Sequence, residues 1–177
     1  MQTNSSVFLG DKFYNREHLN FILFDVLKAE SVTQYEYFSD HEKETVQMYL
    51  DATDQFAKEY LFPHLVEMDR KQPELINGRI CVHPIHKDIM RISGENGWIS
   101  ILANKEVGGM QMPSVFSTAA SFILGAANYS GCVFAGLTMG AAHLIEAFAD
   151  KKYHDVYLPK MFAGEWQGTM ALTEPGA

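Results

Sequence analysis

Cysteine is scarce: Cys81 and Cys132 are the two in the chain. They lack the spacing of a metal knuckle or redox pair, and so few in a chain this size exclude a disulfide scaffold. A reducing compartment, the cytoplasm, is the expectation. Lys and Arg never cluster, and the net charge of −8 excludes a general nucleic-acid surface, since neutralising phosphate takes grouped cations. The opening Met1-Gln2-Thr3-Asn4-Ser5-Ser6 has no charged stretch leading into an apolar run, so no signal peptide is visible. There is no Gly-x-Gly-x-x-Gly, no Walker loop and no Gly-x-Ser-x-Gly elbow. His83 and His86 stand three apart without the acidic partner of a His-Glu-x-x-His site, which favours surface or capping histidines over a metal.

What is present is apolar helix. The 47% of hydrophobic residues suffices for a core, and the 20% of charged ones keeps the chain in the soluble globular class. The most apolar segment, 117–148, is interrupted by Gly125, Asn128, Ser130, Gly131, Gly136 and Gly140 and carries His143 and Glu146. That pattern predicts a buried helical hairpin rather than a membrane span. His143, beside Leu144 and Ile145, reads as a core or interface histidine. The nine methionines read as core filler.

Along the chain, residues 1–15 read as a tail with an aromatic patch (Phe8, Phe13, Tyr14). Leu19, Phe21, Ile22, Phe24, Val26 and Leu27 predict a short helix over 17–30, which either docks onto another surface or packs as an ordinary first helix. Ser39-Asp40-His41-Glu42 reads as a capping box opening a helix to about Leu61, and Pro63 stops or bends it. Asn77-Gly78 between short apolar runs predicts a hairpin turn. Pro84 opens a helix to about Asn96, with Gly94 and Gly97 marking its end. After the loop Lys105 to Pro113, one helix is predicted over 114–129 and a second from Ser130-Gly131 to about Ala149, broken near Gly136 to Gly140. Asp150 caps a shorter helix bounded by Pro159 and Gly164. From Gln167 the residues read as a strand. The fold class is thus all-α, about six helices ending in a strand.

The C-terminal pattern is specific. Tyr157-Leu158-Pro159-Lys160-Met161, then Gly164-Glu165, a strand, and Leu172-Thr173-Glu174-Pro175-Gly176-Ala177 resembles the acyl-CoA dehydrogenase family in order, spacing and turn chemistry. Gly97-Trp98 followed by Glu106-Val107-Gly108-Gly109 resembles the family's Gly-Trp and Tyr-Gly-Gly loop, with Val107 in the aromatic's place. Residues 13–28 with Tyr35-Glu36 resemble the extra N-terminal helix of long bacterial members, a subgroup that includes enzymes similar to 3-methylmercaptopropionyl-CoA dehydrogenases. The resemblance divides the chain into an extension, 1–38; the family's N-terminal helical domain, 39–165; and the first strand of a middle β-domain, 166–177.

The resemblance implies oxidation of an acyl-CoA thioester to the trans-2-enoyl-CoA with FAD, electrons leaving to an electron-transferring flavoprotein, in a homo-oligomer. It implies that Met170, Leu172 and Thr173 approach the flavin, although Met170 stands where shorter members often have an aromatic, and Thr173 also fits a turn hydroxyl. It places Phe134, Leu137 and Thr138 at the acyl pocket, with Gly136 and Gly140 either admitting the acyl chain or packing another helix. No catalytic residue is assigned: none of Glu36, Glu42, Glu59, Glu95, Glu146, Glu165 or Glu174 sits in the context of the family's base. The sequence therefore reads as the front part of a larger enzyme, silent and poorly flavinated alone, with residues 167–177 mobile or paired with another copy. The alternative is a free-standing helical module that binds a partner or itself. A flavin oxidase or hydroxylase on the same fold is a third.

Overall fold

Helices dominate, as the spacing of apolar residues requires. The computed structural model describes residues 13–171 and 173–176, so Phe8 and Leu172 lie outside the described residues. They form α1 (Arg16–Asn20), α2 (Lys43–Phe56), α3 (Leu65–Arg70), α4 (His86–Glu95), α5 (Ser114–Phe148) and α6 (Lys151–Phe162), plus β1 (Glu74–Ile76) and β2 (Arg79–Cys81). Two compact units emerge, one of Met1–Gln72 with Met112–Ser130, the other of Pro73–Gln111 with Gly131–Ala177.

In the first unit the entering chain is held by charge and rings. Tyr14 is buried and donates its hydroxyl to Asp54 Oδ1 at 2.8 Å, while Arg16 pairs with Asp51. Burial and the Asp54 carboxylate together hold the Tyr14 phenol well above its ordinary value. Asn15 caps α1 by accepting the His18 amide at 2.8 Å. The helix widens into a π-helical stretch, Phe21–Val26, and ends where Lys28 takes a φ of 50°; a 3₁₀ stretch, Ala29–Gln34, follows. The single helix predicted to Glu30 is thus three shorter pieces. Leu23 is buried and Phe24 stacks on Phe116 with centroids 6.3 Å apart, so this segment packs as an ordinary first helix on one face. Phe21, Val26 and Leu27 remain exposed.

The capping box does not form. Ser39 donates to Glu36 O at 2.8 Å, closing the preceding 3₁₀ turn, and α2 begins four residues later, with Glu42 at its N-cap and no side-chain cap bond. A hydroxyl spent on one turn cannot cap the next. After α2 the chain passes through a π-helical stretch, Ala57–Leu61, and a 3₁₀ turn containing Pro63. Asn128 Nδ2 donates to Leu61 O at 3.2 Å. Asn128 is also where α5 breaks, with φ −169° and ψ 93°, two residues before the predicted Ser130-Gly131 boundary. The buried amide, 1% exposed, must find a partner, and reaching Leu61 takes its backbone out of helix. Phe116, Ala119, Ala120, Ile123 and Ala127 give the first half of α5 its buried stripe. By length and composition alone α5 is apolar enough to cross a membrane, and only 17% of its most apolar window is buried; the break at Asn128 gives the two helices read from the sequence, but not the buried hairpin.

In the second unit Asn77 and Gly78 take φ of 51° and 76°, giving the predicted hairpin turn, with Leu75 opposite Ile80. The later part of α5 runs unbroken to Phe148 through Gly136 and Gly140, so the predicted break there is absent. At neither glycine would an added Cβ meet any atom within 4 Å. Helical hydrogen bonding outlasts two isolated glycines. Helix α6 continues three residues past Pro159 and closes in a Schellman turn: Gly164 N bonds Met161 O and Glu165 N bonds Lys160 O, each at 3.0 Å, with Gly164 at φ 74°. This turn lies directly on α4. A Cβ on Gly94 would sit 2.3 Å from Ala163 O, and one on Gly164 would sit 2.3 Å from Met90 O. Met90, Ile99, Ala103, Ala142, Leu158, Met161 and Phe162 form the core beneath. Residues 167–171 form no strand: a strand is defined by a paired ladder, and no described segment pairs with them.

Alanine substitutions at two helical glycines should act in opposite directions. Gly94→Ala should cost about 1–3 kcal/mol, because the rigid Ala163–Gly164 backbone leaves the methyl nowhere to go. Gly136→Ala should gain about 0.5–1 kcal/mol by helix propensity. Urea denaturation of the two variants checks both signs.

Candidate functional site

The second unit contains an open apolar groove of ≈ 550 Å³ between α5, α6 and the segment that leaves α6. Ala141 and Ile145 come from α5, Tyr157 and Met161 from α6, and Trp166 and Gly168 from the outgoing segment. Trp166 is fixed from two sides. Its ring meets Tyr157 edge-on at 5.7 Å, and Lys160 Nζ lies 4.4 Å from its centroid. The Schellman turn is what brings Trp166 back: its amide donates to Lys160 O at 3.1 Å. None of these groove residues stood out in the sequence as a site. The aromatic at Tyr157 and its i+4 neighbour Met161 were the available signal.

Gly168 ties the segment to α5. Its amide donates to Thr138 Oγ1 at 3.1 Å, and Thr138 donates in turn to Phe134 O at 2.7 Å. Thr138 is fully buried. Of the three residues placed at an acyl pocket, Phe134 and Leu137 are half-buried, whereas Thr138 has its hydroxyl engaged within the protein. Phe134 meets the His86 ring edge-on, centroids 4.7 Å apart. His86 is 9% exposed, and its Nδ1 has no hydrogen-bond partner among the described residues. Desolvation, aided by the charge of His83, lowers its pKa and keeps it neutral. His83 Nδ1 accepts the Ile85 amide at 3.3 Å, the capping role open to it from sequence.

His143 is exposed, not in the core, with Nδ1 3.8 Å from Glu146 Oε2. Glu146 itself is largely buried and accepts Asn104 N and Nδ2 at 2.8 and 2.6 Å, tethering the loop before Gly108 to α5. Burial lifts the Cys132 thiol to about 11, which leaves it inert as a nucleophile at neutral pH.

Beyond Gly168, Met170 is 65% exposed and Thr173 is exposed. Among the described residues, the backbone of 169–171 and the Thr173 hydroxyl have no hydrogen-bond partner. Exposed donors and acceptors of this kind bond the polar edge of a heteroaromatic ring, so the residues present fit a flavin. Leu172, the third residue placed there by resemblance, lies outside the described residues.

The fold is a helical domain with an open apolar groove in its second unit. A family model described as acyl-CoA dehydrogenase, N-terminal domain, matches residues 43–165, and the chain belongs to this family. It is similar to 3-methylmercaptopropionyl-CoA dehydrogenase of Ruegeria pomeroyi, 31% identical over 140 residues covering 79% of this chain and 24% of that protein. It is also similar to a butyryl-CoA dehydrogenase of Syntrophomonas wolfei, 29% identical over 135 residues, 75% of this chain and 22% of that protein. The chain thus spans about a quarter of the length of these relatives.

Neutral His86 makes stability pH-dependent in one direction. The unfolded chain titrates near the ordinary 6.5, the folded one lower. Its contribution is complete above pH 6.5 and is lost as pH falls toward the lowered folded value, where the unfolded chain takes a proton that the fold refuses. The drop in urea midpoint between pH 7 and pH 5 should shrink in His86→Phe.

Proposed function

We propose that this chain forms the helical wall of the active site in an FAD-dependent acyl-CoA dehydrogenase that converts acyl-CoA thioesters to trans-2-enoyl-CoA. The observation that supports the reading is the apolar groove of α5 and α6, whose lining ends at Gly168, followed by residues 169–171 with no backbone hydrogen bond among the described residues. Phe134 and Leu137 bound the acyl chain. Gly136 and Gly140 let it lie against the helix backbone, since nothing among the described residues occupies that space. Met170, Leu172 and Thr173 face the cofactor, with the Thr173 hydroxyl and the adjacent amides orienting its polar edge. FAD when bound supplies the hydride acceptor. The chain's own residues orient the acyl group and exclude water from it.

No carboxylate here acts as the base that removes the α-proton, so the chain alone is silent. The whole protein is a cytoplasmic homo-oligomer and passes electrons to an electron-transferring flavoprotein. A second reading, a helical module that binds a partner or itself, draws on Leu144 and Phe148, 60% and 82% exposed at the end of α5.

The test compares this chain with the product of its full reading frame, measuring flavin absorbance and dye-coupled oxidation of short acyl-CoA substrates. The full product should be yellow and active, the chain colourless and inactive. Phe134→Ala in the full product should raise KM for acyl-CoA about tenfold by loss of apolar contact. A reading frame that stops at Ala177 selects the module; a colourless full product refutes the flavoenzyme.

A further inference from the structure

We infer that Thr138 is a positioning residue for the cofactor-facing segment and not a contact of the acyl chain. The second half of this statement departs from what the family resemblance implies for Thr138; the first rests on the proposed function, in that residues 170–173 face a flavin.

A threonine hydroxyl has one donor and two acceptor sites. In Thr138 the donor is committed to Phe134 O at 2.7 Å, the i−4 carbonyl of its own helix. That bond fixes the hydroxyl's rotation and leaves the oxygen able only to accept. What it accepts is the Gly168 amide at 3.1 Å, thirty residues further along the chain. Thr138 is 0% exposed, so neither bond competes with water and no ligand reaches the hydroxyl without moving the protein atoms that cover it.

Gly168 is shaped to this contact. A Cβ there would lie 2.3 Å from the Ala141 methyl and 3.3 Å from both Leu137 O and Thr138 Cα. The segment's backbone therefore rests on the surface of α5, and the amide at the point of contact is the one that Thr138 takes. Gly168 is also the last residue before 169–171, whose backbone has no hydrogen bond to described residues. Met170 follows two residues on, at most about 7 Å along the chain. One anchored amide thus limits where Met170 can lie. The same residue links the two halves of the site: the turn of α5 bearing Phe134 and Leu137, and the segment bearing Met170 and Thr173.

The anchor is tested on the chain as it stands, by amide hydrogen exchange at Gly168. Thr138→Val keeps the shape and removes the hydroxyl, and should speed exchange at Gly168 about tenfold while the core amides of α5 and α6 stay protected. Thr138→Ser should keep the wild-type rate. If Thr138→Val does not fold, Gly168→Ala, which lifts the segment from its own side, should give the same local loss. Unchanged protection at Gly168 in a folded Thr138→Val overturns the anchor.

The cofactor role is tested in the full-length protein. Thr138→Val should weaken FAD binding about tenfold, read by flavin fluorescence on titration of the apoprotein, with KM for acyl-CoA within twofold of wild type. Thr138→Ser should restore FAD affinity. A raised KM with unchanged FAD affinity makes Thr138 a substrate contact and overturns the proposal. A full-length protein that binds no flavin at all refutes the proposed function instead, and leaves the exchange result on Gly168 standing.

Discussion

The second unit depends on a contact between two backbones. The end of α6 lies so close on α4 that neither Gly94 nor Gly164 has room for a methyl group. Gly164 serves twice: its positive φ closes the Schellman turn, and its missing side chain lets that turn sit on Met90. Everything downstream inherits its direction from there. Reversal at Gly164 brings Trp166 back onto Lys160, Trp166 walls the groove, and two residues later Gly168 meets Thr138. Van der Waals contact between rigid backbones is a stiffer way to aim a segment than side-chain packing, because no rotamer change relieves it.

Much of this was legible in the sequence, because much of it is local. Asn77-Gly78 specified its hairpin through two residues that tolerate positive φ, and the apolar spacing of α2, α4 and α5 specified their buried faces. Readings failed where a side chain had a choice of partners. Ser39 had the signature of a cap, yet a 3₁₀ turn on its other side claimed the hydroxyl. The break in α5 was read from Ser130-Gly131, whereas Asn128 makes it for the sake of a carbonyl sixty-seven residues away at Leu61. Gly94 and Gly164 were read as punctuation, which is what isolated glycines show to a one-dimensional pattern; close approach to a distant backbone leaves no local mark. For the site, the resemblance named a turn of α5 and the outgoing segment; the hydrogen bond that joins them is between residues thirty apart and needed the fold to be seen.

Polar groups in the second unit divide into those already spent and those still free, and that division organises the site. Thr138, Asn104 and Glu146 have their hydrogen bonds within the protein and hold its parts in register. The Thr173 hydroxyl and the backbone of 169–171 have no partner among the described residues and lie in the open. A buried group without a partner costs stability, but an exposed one costs nothing until something replaces its water. Under the proposed function the free groups meet the ligand's polar edge, while the Thr138 bond to Gly168 holds the start of their segment on α5.

Gly136 and Gly140 carry the same logic into the apolar wall. Each weakens α5 by about 0.5–1 kcal/mol relative to alanine, and neither supports a turn, a positive φ or a close neighbour. Gly94, Gly164 and Gly168 are required by atoms of this chain; these two are not. A helix gains nothing internal from them, and they leave two places, four residues apart on one face, where the backbone is uncovered by described residues and open to something outside the chain. Under the proposed function that is an acyl chain lying along α5 between Phe134 and the groove, where a methyl at either position would narrow the space. The wall is then softest where the substrate must come closest, and it stays straight there because the far sides of the same turns are fixed, Thr138 on Gly168 and Ala142 in the core.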